Sequence, residues 1–368
     1  MNNSSKDPLA IEAVEHVEIF CENGKLTAFA LCYQFGFQPV GYKGPETGVK
    51  ETASYLLRQN NINIIITSPL RTSNTISTQV FLHGTTVHDM ALRVPDCRAF
   101  YTAAMNNGAT SVIEPTNFDN NTYIRAAIKT YGDVIHSIVE KKDKNQMPPG
   151  FKPSDEFFNW SLPEEDLGLI IIDHMVGNVE LGKMNHWVSF YEKVLGFQQM
   201  THFTEDDIST EYSALMSKVM HNGDGKIKFP INEPAQGKRK SQIEEYLEFH
   251  NGPGVQHIAL GTKDIIKTVS GLRKRGVQFL NVPHTYYDNI TDRVGSIKED
   301  MSALSSLGVL VDRDDDGYLL QLFTKPIHDR PTLFFEIIQR EGSRGFGVGN
   351  FKALFEAIER EQARRGNL

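Results

Sequence analysis

Apolar positions recur along this chain on two periods, and the switches between them mark out its elements. Apolar strings at residues 14–20 and 168–176 predict strands. At 26–34 and 187–194 apolar residues recur three and four apart and predict helices. Each closes at a glycine, Gly36 or Gly196, which can take the left-handed C-cap. Residues 96–107 and 264–275 predict further helices, each with an Asp as N-cap. Gly276-Val277-Gln278-Phe279 then reads as a return to strand. Near the end, Phe351, Leu354, Phe355 and Ile358 fall at i, i+3, i+4 and i+7, which predicts an amphipathic helix over 350–360.

The same layout occurs twice. Val87-His88-Asp89-Met90-Ala91-Leu92-Arg93-Val94-Pro95-Asp96 matches Val255-Gln256-His257-Ile258-Ala259-Leu260-Gly261-Thr262-Lys263-Asp264. Both strings run on to a glycine (Gly108, Gly276) and then to a proline (Pro115, Pro283), always at an offset of 168. Tyr33-Gln34-Phe35-Gly36-Phe37-Gln38 likewise matches Lys193-Val194-Leu195-Gly196-Phe197-Gln198, after His16 in one half and His174 in the other. Self-similarity of this kind marks a duplicated unit. Strands and helices segregate in each half, so the class is α+β. Lys141-Lys142-Asp143-Lys144-Asn145 and Met147-Pro148-Pro149-Gly150 read as a connection within 141–166. Two domains are expected, residues 1–150 and 151–368.

Composition narrows the partners more than the fold. The 368 residues are 40% hydrophobic and 23% charged, ordinary values for a globular protein. A net charge of −8 argues against nucleic acid and for a small-molecule partner. Cys21, Cys32 and Cys97 have no metal-site or disulfide-framework spacing, which suits a reducing cytoplasm. No apolar leader is visible, nor a run of the roughly 18 apolar residues that a membrane span requires. A cytoplasmic protein without a membrane partner is expected.

Three residues interrupt the apolar strings. His174 sits in Leu169-Ile170-Ile171-Ile172-Asp173-His174-Met175-Val176, His257 in Gly254-Val255-Gln256-His257-Ile258-Ala259-Leu260, and Glu336 in Thr332-Leu333-Phe334-Phe335-Glu336-Ile337-Ile338. A polar or charged group among Ile, Leu and Phe costs free energy unless it is compensated. A strand histidine by itself is as readily a hydrogen-bonded core residue. Glu336 is harder to explain that way, because Glu is almost never fully buried unpaired. One metal ion bound by all three would compensate them together. Two His and one carboxylate on one face is the arrangement of non-haem Fe(II) oxygenases. Separations of 83 and 79 residues require a folded sheet to bring the three together. The first half offers His16, Asp89 and His136 at aligned positions, the last by setting Ile135-His136-Ser137 against Phe335-Glu336-Ile337. Its flanking strings differ, and a scaffold half without a working site is expected.

From about residue 229 onward, specific strings follow one another in order. They are Phe229-Pro230-Ile231-Asn232-Glu233-Pro234, Lys238-Arg239-Lys240-Ser241-Gln242-Ile243, Gly252-Pro253 leading into the His257 string, Thr285-Tyr286-Tyr287 and Gly308-Val309-Leu310-Val311-Asp312. Leu319-Leu320-Gln321-Leu322-Phe323-Thr324-Lys325-Pro326, Asp329-Arg330-Pro331 leading into the Glu336 string, and Gly345-Phe346-Gly347-Val348-Gly349-Asn350-Phe351 complete them. With these strings the chain resembles the 4-hydroxyphenylpyruvate dioxygenase family, of the vicinal oxygen chelate superfamily, over essentially its whole length. The resemblance implies two tandem domains, each of paired βαβββ modules forming an open half-barrel sheet, plus a C-terminal gating helix. It implies one Fe(II) per subunit on His174, His257 and Glu336. It implies polar pocket positions at Ser217, Asn232, Gln242, Gln256 and Gln321, and aromatic walls at Phe323, Phe334, Phe346 and Phe351. Asn350 would help hold the gate. Val348 stands where many members carry Lys and is expected to face outward.

The implied reaction takes 4-hydroxyphenylpyruvate and O2 to homogentisate and CO2, the substrate's own 2-oxo acid supplying two electrons. The protein's share is orientation and exclusion of water. Pocket amides would meet the phenol and developing charge. Gln256 precedes a ligand on a strand, so by alternation it should face away. Either the strand bends there or Gln256 works from behind the ligand. The C-terminal helix is expected to act as a lid. Hydroxymandelate synthase shares substrate, iron and fold, and differs at the gate position, usually aliphatic there and Phe351 here. An extradiol ring-cleaving dioxygenase and a degenerate member that only binds an aromatic ligand are the other readings. The resemblance also implies a homo-oligomer, dimer or tetramer, for which the exposed face of the first domain is the expected interface.

Overall fold

The computed structural model describes residues 9–204, 214–235, 237–288 and 290–367. Its first half runs β1 (Ala13–Phe20), α1 (Gly24–Phe35), β2 (Gln38–Lys43), β3 (Thr52–Gln59), β4 (Ile62–Pro69) and α2 (Thr75–His83). It continues with β5 (Thr86–Arg93), α3 (Cys97–Asn106), β6 (Ser111–Phe118), β7 (Tyr123–Lys129) and β8 (Ile135–Lys141). A short β9 (Lys152–Pro153) follows. The second half repeats the series as β10 (Leu169–Asn178), α4 (Met184–Leu195), β11 (Gln198–Phe203), β12 (Ala214–His221), β13 (Lys228–Ala235) and α5 (Gln242–His250). Then come β14 (Gly254–Thr262), α6 (Ile265–Lys274), two inserted helices α7 (Ile290–Val294) and α8 (Met301–Leu307), and β15 (Leu310–Asp314). β16 (Gly317–Phe323), β17 (Phe334–Glu341) and the closing helix α9 (Val348–Arg364) end the chain.

The two sheets have one topology. The order β2-β3-β4-β1-β5-β8-β7-β6 in the first corresponds strand for strand to β11-β12-β13-β10-β14-β17-β16-β15 in the second. Each half is therefore two βαβββ modules joined through an antiparallel central pair, β1 with β5 or β10 with β14. β9 adds to the first sheet at β2, so that sheet takes residues 152–153 from beyond the connection.

Local chemistry accounts for the element ends. Asp96 and Asp264 accept from the backbone N–H of Ala99 and Lys267 at 2.9 Å each, satisfying donors that the first helical turn leaves unpaired. Gly36 and Gly196 close α1 and α4 at φ of 80° and 69°. The return strand expected at Gly276-Val277-Gln278-Phe279 is not formed. Phe279 makes a single bridge to Thr324, and the edge position goes to β15 after the α7–α8 insertion. One apolar core runs through both halves, with Phe35 of α1 against Phe335 of β17 at 5.0 Å between ring centroids. Gly177 shows how closely the halves meet, since a Cβ there would lie 2.5 Å from the Tyr131 ring.

Candidate metal centre

Successive side chains on an unbroken strand point to opposite faces. The central pair of the second sheet breaks this rule at three places, two of them beside the histidines. Ile172 pairs with Leu260 and His174 with Ala259, which leaves Asp173 as an extra residue on β10. Val176 pairs with His257 and Gly177 with Val255, which leaves Gln256 extra on β14. Bulges of this kind re-aim a side chain. Each brings the residue before a histidine onto that histidine's ring: Asp173 Oδ1 is 2.8 Å from His174 Nδ1, and Gln256 Oε1 is 2.9 Å from His257 Nδ1. The strand bends at Gln256, which supports the ligand from behind.

With both Nδ1 atoms occupied, the two Nε2 atoms turn inward. They lie 3.1 Å (His174) and 3.3 Å (His257) from the same oxygen of Glu336, Oε2. The ligand atoms of all three lie within 4.8 Å of one another, and all three residues are buried. Asp173 accepts two 2.8 Å hydrogen bonds from Arg340, four residues beyond Glu336 on β17 and so on the same face. Gln321 Nε2 donates to Glu336 Oε1 at 2.7 Å, and Asn350 Nδ2 donates to Gln321 Oε1 at 2.8 Å. Tyr286 O–H donates to Asn350 Oδ1 at 2.8 Å. The start of α9 is thus tied to Glu336 through two side chains.

Burial alone would push the Glu336 carboxyl up, but the His174 and His257 imidazoles beside it outweigh burial and hold the group at about 2. Burial would likewise raise Asp173, and Arg340 holds it well below the usual range. His174 is pushed down by burial and up, more strongly, by Glu336 and Asp173, whereas burial dominates at His257 and lowers it. His257 Nε2 is buried without a hydrogen-bond partner despite the nearby carboxylate. Two imidazole nitrogens and a carboxylate oxygen converging in this way, each with its other polar atom already held, fit a divalent metal ion.

A cavity of about 20 Å³ adjoins the three groups, with Gln321, Phe323, Phe346, Phe351, Val176, Pro230 and Leu354 on its wall. Phe334 stacks on the His257 ring at 4.8 Å and meets Phe323 edge-on at 6.4 Å. Phe346 meets His174 at 4.8 Å, and Phe351 packs on Phe203 at 5.1 Å. Gln242 opens α5 and, with Gln256 and Phe334, lines a neighbouring cavity of about 30 Å³. Ser217 and Asn232 face each other across β12 and β13. Ser217 Oγ, Asn232 Oδ1 and Gln242 Oε1 are all buried without a partner. Gln256 and Gln321, by contrast, are already spent on the ligands. The Val348 side chain lies outside what the structure describes. Sequence reasoning missed Asp173 and Arg340, although one adjoins a ligand and the other lies at an even spacing from Glu336.

Residues 5–151 match the family described as "Hydroxyphenylpyruvate dioxygenase, HPPD, N-terminal". Residues 171–322 match the "Glyoxalase/Bleomycin resistance protein/Dioxygenase superfamily". A 4-hydroxyphenylpyruvate dioxygenase of Tetrahymena thermophila is 43% identical, covering 96% of this chain and 91% of its own. One of Caenorhabditis elegans is 45% identical, covering 97% and 93%. The chain belongs to the 4-hydroxyphenylpyruvate dioxygenase family. Among solved structures, a mutant of 4-hydroxymandelate synthase from Streptomyces coelicolor superposes with a TM-score of 0.85 at 31% identity, covering 96% of this chain and 99% of that one.

In this dioxygenase-family chain the first sheet keeps the bulges but not the centre. Glu15 is the extra residue before His16, and His88 the extra residue before Asp89. The expected third position does not hold. Asp89 pairs with Ile135 as His257 pairs with Phe334, so the counterpart of Glu336 is Ser137 and not His136. A slip of one residue turns a side chain to the other face. His136 accordingly faces the second half, where Tyr191 O–H donates to its Nε2 at 2.9 Å and Phe229 packs on its ring. Arg125, at the position of Gln321, fills the first centre. Its Nη2 is 3.3 Å from Asp89 Oδ2, and its Nε donates to Ser137 Oγ at 2.9 Å. Burial, then the charges of Arg125, Lys141 and Lys43, hold His16 down at about 3. A guanidinium stands where the second half would hold a metal.

Proposed function

We propose that this chain is an Fe(II)-dependent dioxygenase that converts 4-hydroxyphenylpyruvate and O2 to homogentisate and CO2. The observation that carries the reading is the buried His174–His257–Glu336 cluster, opening onto aromatic rings, in a chain 43–45% identical to relatives named for that reaction. One ferrous ion held by these three residues would supply the open coordination positions and the redox chemistry that an O2 reaction requires.

The remaining work falls to the chain. Asp173 and Gln256 fix which nitrogen of each histidine faces the centre, and Arg340 fixes Asp173. Phe323 and Phe334 offer an apolar wall for an aryl ring. Ser217 Oγ, Asn232 Oδ1 and Gln242 Oε1 are buried without partners; the hydroxyl can donate to a carboxylate, and the two amide oxygens can accept from a phenol. A cavity of about 20 Å³ has room for about one water molecule, so an arylpyruvate enters only if the wall moves, and Phe351 and Leu354 of α9 are on that wall. We read α9 as a lid, hinged at Gly345 and Gly347 and latched through Asn350 and Gln321. The first half, residues 1–150, is read as a scaffold domain without a metal.

Hydroxymandelate synthase chemistry is the second reading, favoured by the structural likeness and opposed by the aromatic Phe351 on the cavity wall. The test is anaerobic reconstitution with Fe(II), then 4-hydroxyphenylpyruvate and O2, with the product identified by mass and retention time. Homogentisate is expected. 4-Hydroxymandelate would overturn the role given to Phe351.

A further inference from the structure

We propose that the cleft between the two sheets is a second ligand site, for a small, multiply charged anion. It measures about 890 Å³ and shares no lining residue with the cavity at the metal centre. Pockets for small molecules fall in the range of roughly 300–1,000 Å³. In a chain of net charge −8, this cleft collects seven Lys and Arg side chains against three carboxylates. The three carboxylates are already matched within the wall: Asp173 by Arg340, Glu12 by Arg93 at 3.1 Å and Asp224 by Lys226 at 2.7 Å. That leaves Arg58, Lys144 and Lys228, with Arg344 held only loosely by Asp316 at 4.0 Å.

Lys228 is the decisive member. It opens β13 beside His174 of β10 and is only 8% exposed. Lysine is almost never buried unless paired, yet among the described residues the Lys228 ammonium has no hydrogen bond or ion pair within the protein, and it lines the cleft. Its nearest carboxylates, Asp173 and Asp224, are each bonded to another cation. A concave wall of one sign concentrates field lines and favours an ion of the other. One negative charge would match only one of these cations, so the fitting occupant carries two or more anionic groups, phosphoryl or carboxyl, spaced to reach Lys228 inside and Lys144 or Arg344 at the rim.

Isothermal titration of the iron-loaded protein with fructose 1,6-bisphosphate, with tricarballylate, and with sodium chloride at equal ionic strength tests this. One saturable site per chain is expected for at least one of the two polyanions and none for chloride, and the tighter of the two assigns the group. Lys228→Met should weaken binding about tenfold, the loss of one charge-assisted contact. Lys144→Ala combined with Arg344→Ala lies on the exposed rim and should weaken it as well, which keeps the test open should Lys228→Met misfold. Absence of saturation with both polyanions, or unchanged affinity in the variants, would overturn the assignment.

Discussion

In the first half Asp89 meets Arg125, and in the second Glu336 meets His174 and His257. The strands carrying these groups have the same order and the same paired bulges. What differs is the compensation of a buried carboxyl. A guanidinium brings a fixed positive charge with its own side chain and leaves no open position. Two imidazoles and the carboxylate instead converge on a point where a metal ion could be held. The duplicated scaffold therefore determines where a centre can stand, and three exchanges, Gln321 against Arg125, His257 against Asp89 and Glu336 against Ser137, separate the two halves.

Removing the guanidinium should act on stability alone. Arg125→Met strands the Asp89 carboxyl in the core, and losing one partner of a buried ion pair costs about 3 kcal/mol, the low end of the range because the carboxyl can take up a proton. Denaturant midpoints should fall accordingly, while turnover per folded molecule stays unchanged. A loss of turnover at unchanged stability would erase the distinction between the halves. In the second half the matching change is Asp173→Asn, which weakens the Arg340 clamp and the hold on His174. Such supports are worth 10- to 100-fold in metal affinity, so competition with a chelator should show a drop of that size, beside a loss of stability because Arg340 loses its buried partner.

Acid should bear most on three histidines remote from the second-half centre. Burial foremost holds His16 at about 3, His136 at about 4 and His250 at about 3. Their folded values lie below the unfolded value of about 6.5, so the unfolded chain binds more protons between roughly pH 6.5 and 4. Stability is complete above that window and falls with pH through it, by about 1.4 kcal/mol per pH unit for each histidine. His136→Gln should flatten the slope by one histidine's share. An unchanged slope would show that His136 is not held neutral by the second half.

Much of this was legible in the residues. The offset of 168 foretold the paired sheets, because a duplicated fold keeps its hydrophobic spacing. Glu336 declared itself because a carboxylate has no inexpensive place among Leu333, Phe334, Phe335, Ile337 and Ile338. The bulges were not legible, since an extra residue leaves no mark on a period-two pattern unless the partner strand is known. For the same reason His136 was set opposite Glu336 where Ser137 belongs. The strand expected at Gly276-Val277-Gln278-Phe279 failed because the α7–α8 insertion gives the sheet edge to β15, a tertiary outcome that local propensity cannot register.

The most direct measurement is the metal content of the purified, iron-reconstituted protein, alongside His257→Ala and Asp89→Asn. One iron per chain is predicted, lost in His257→Ala and retained in Asp89→Asn. Two irons per chain, or loss of iron on changing Asp89 in a protein that still folds, would contradict the assignment of a single centre to the second half.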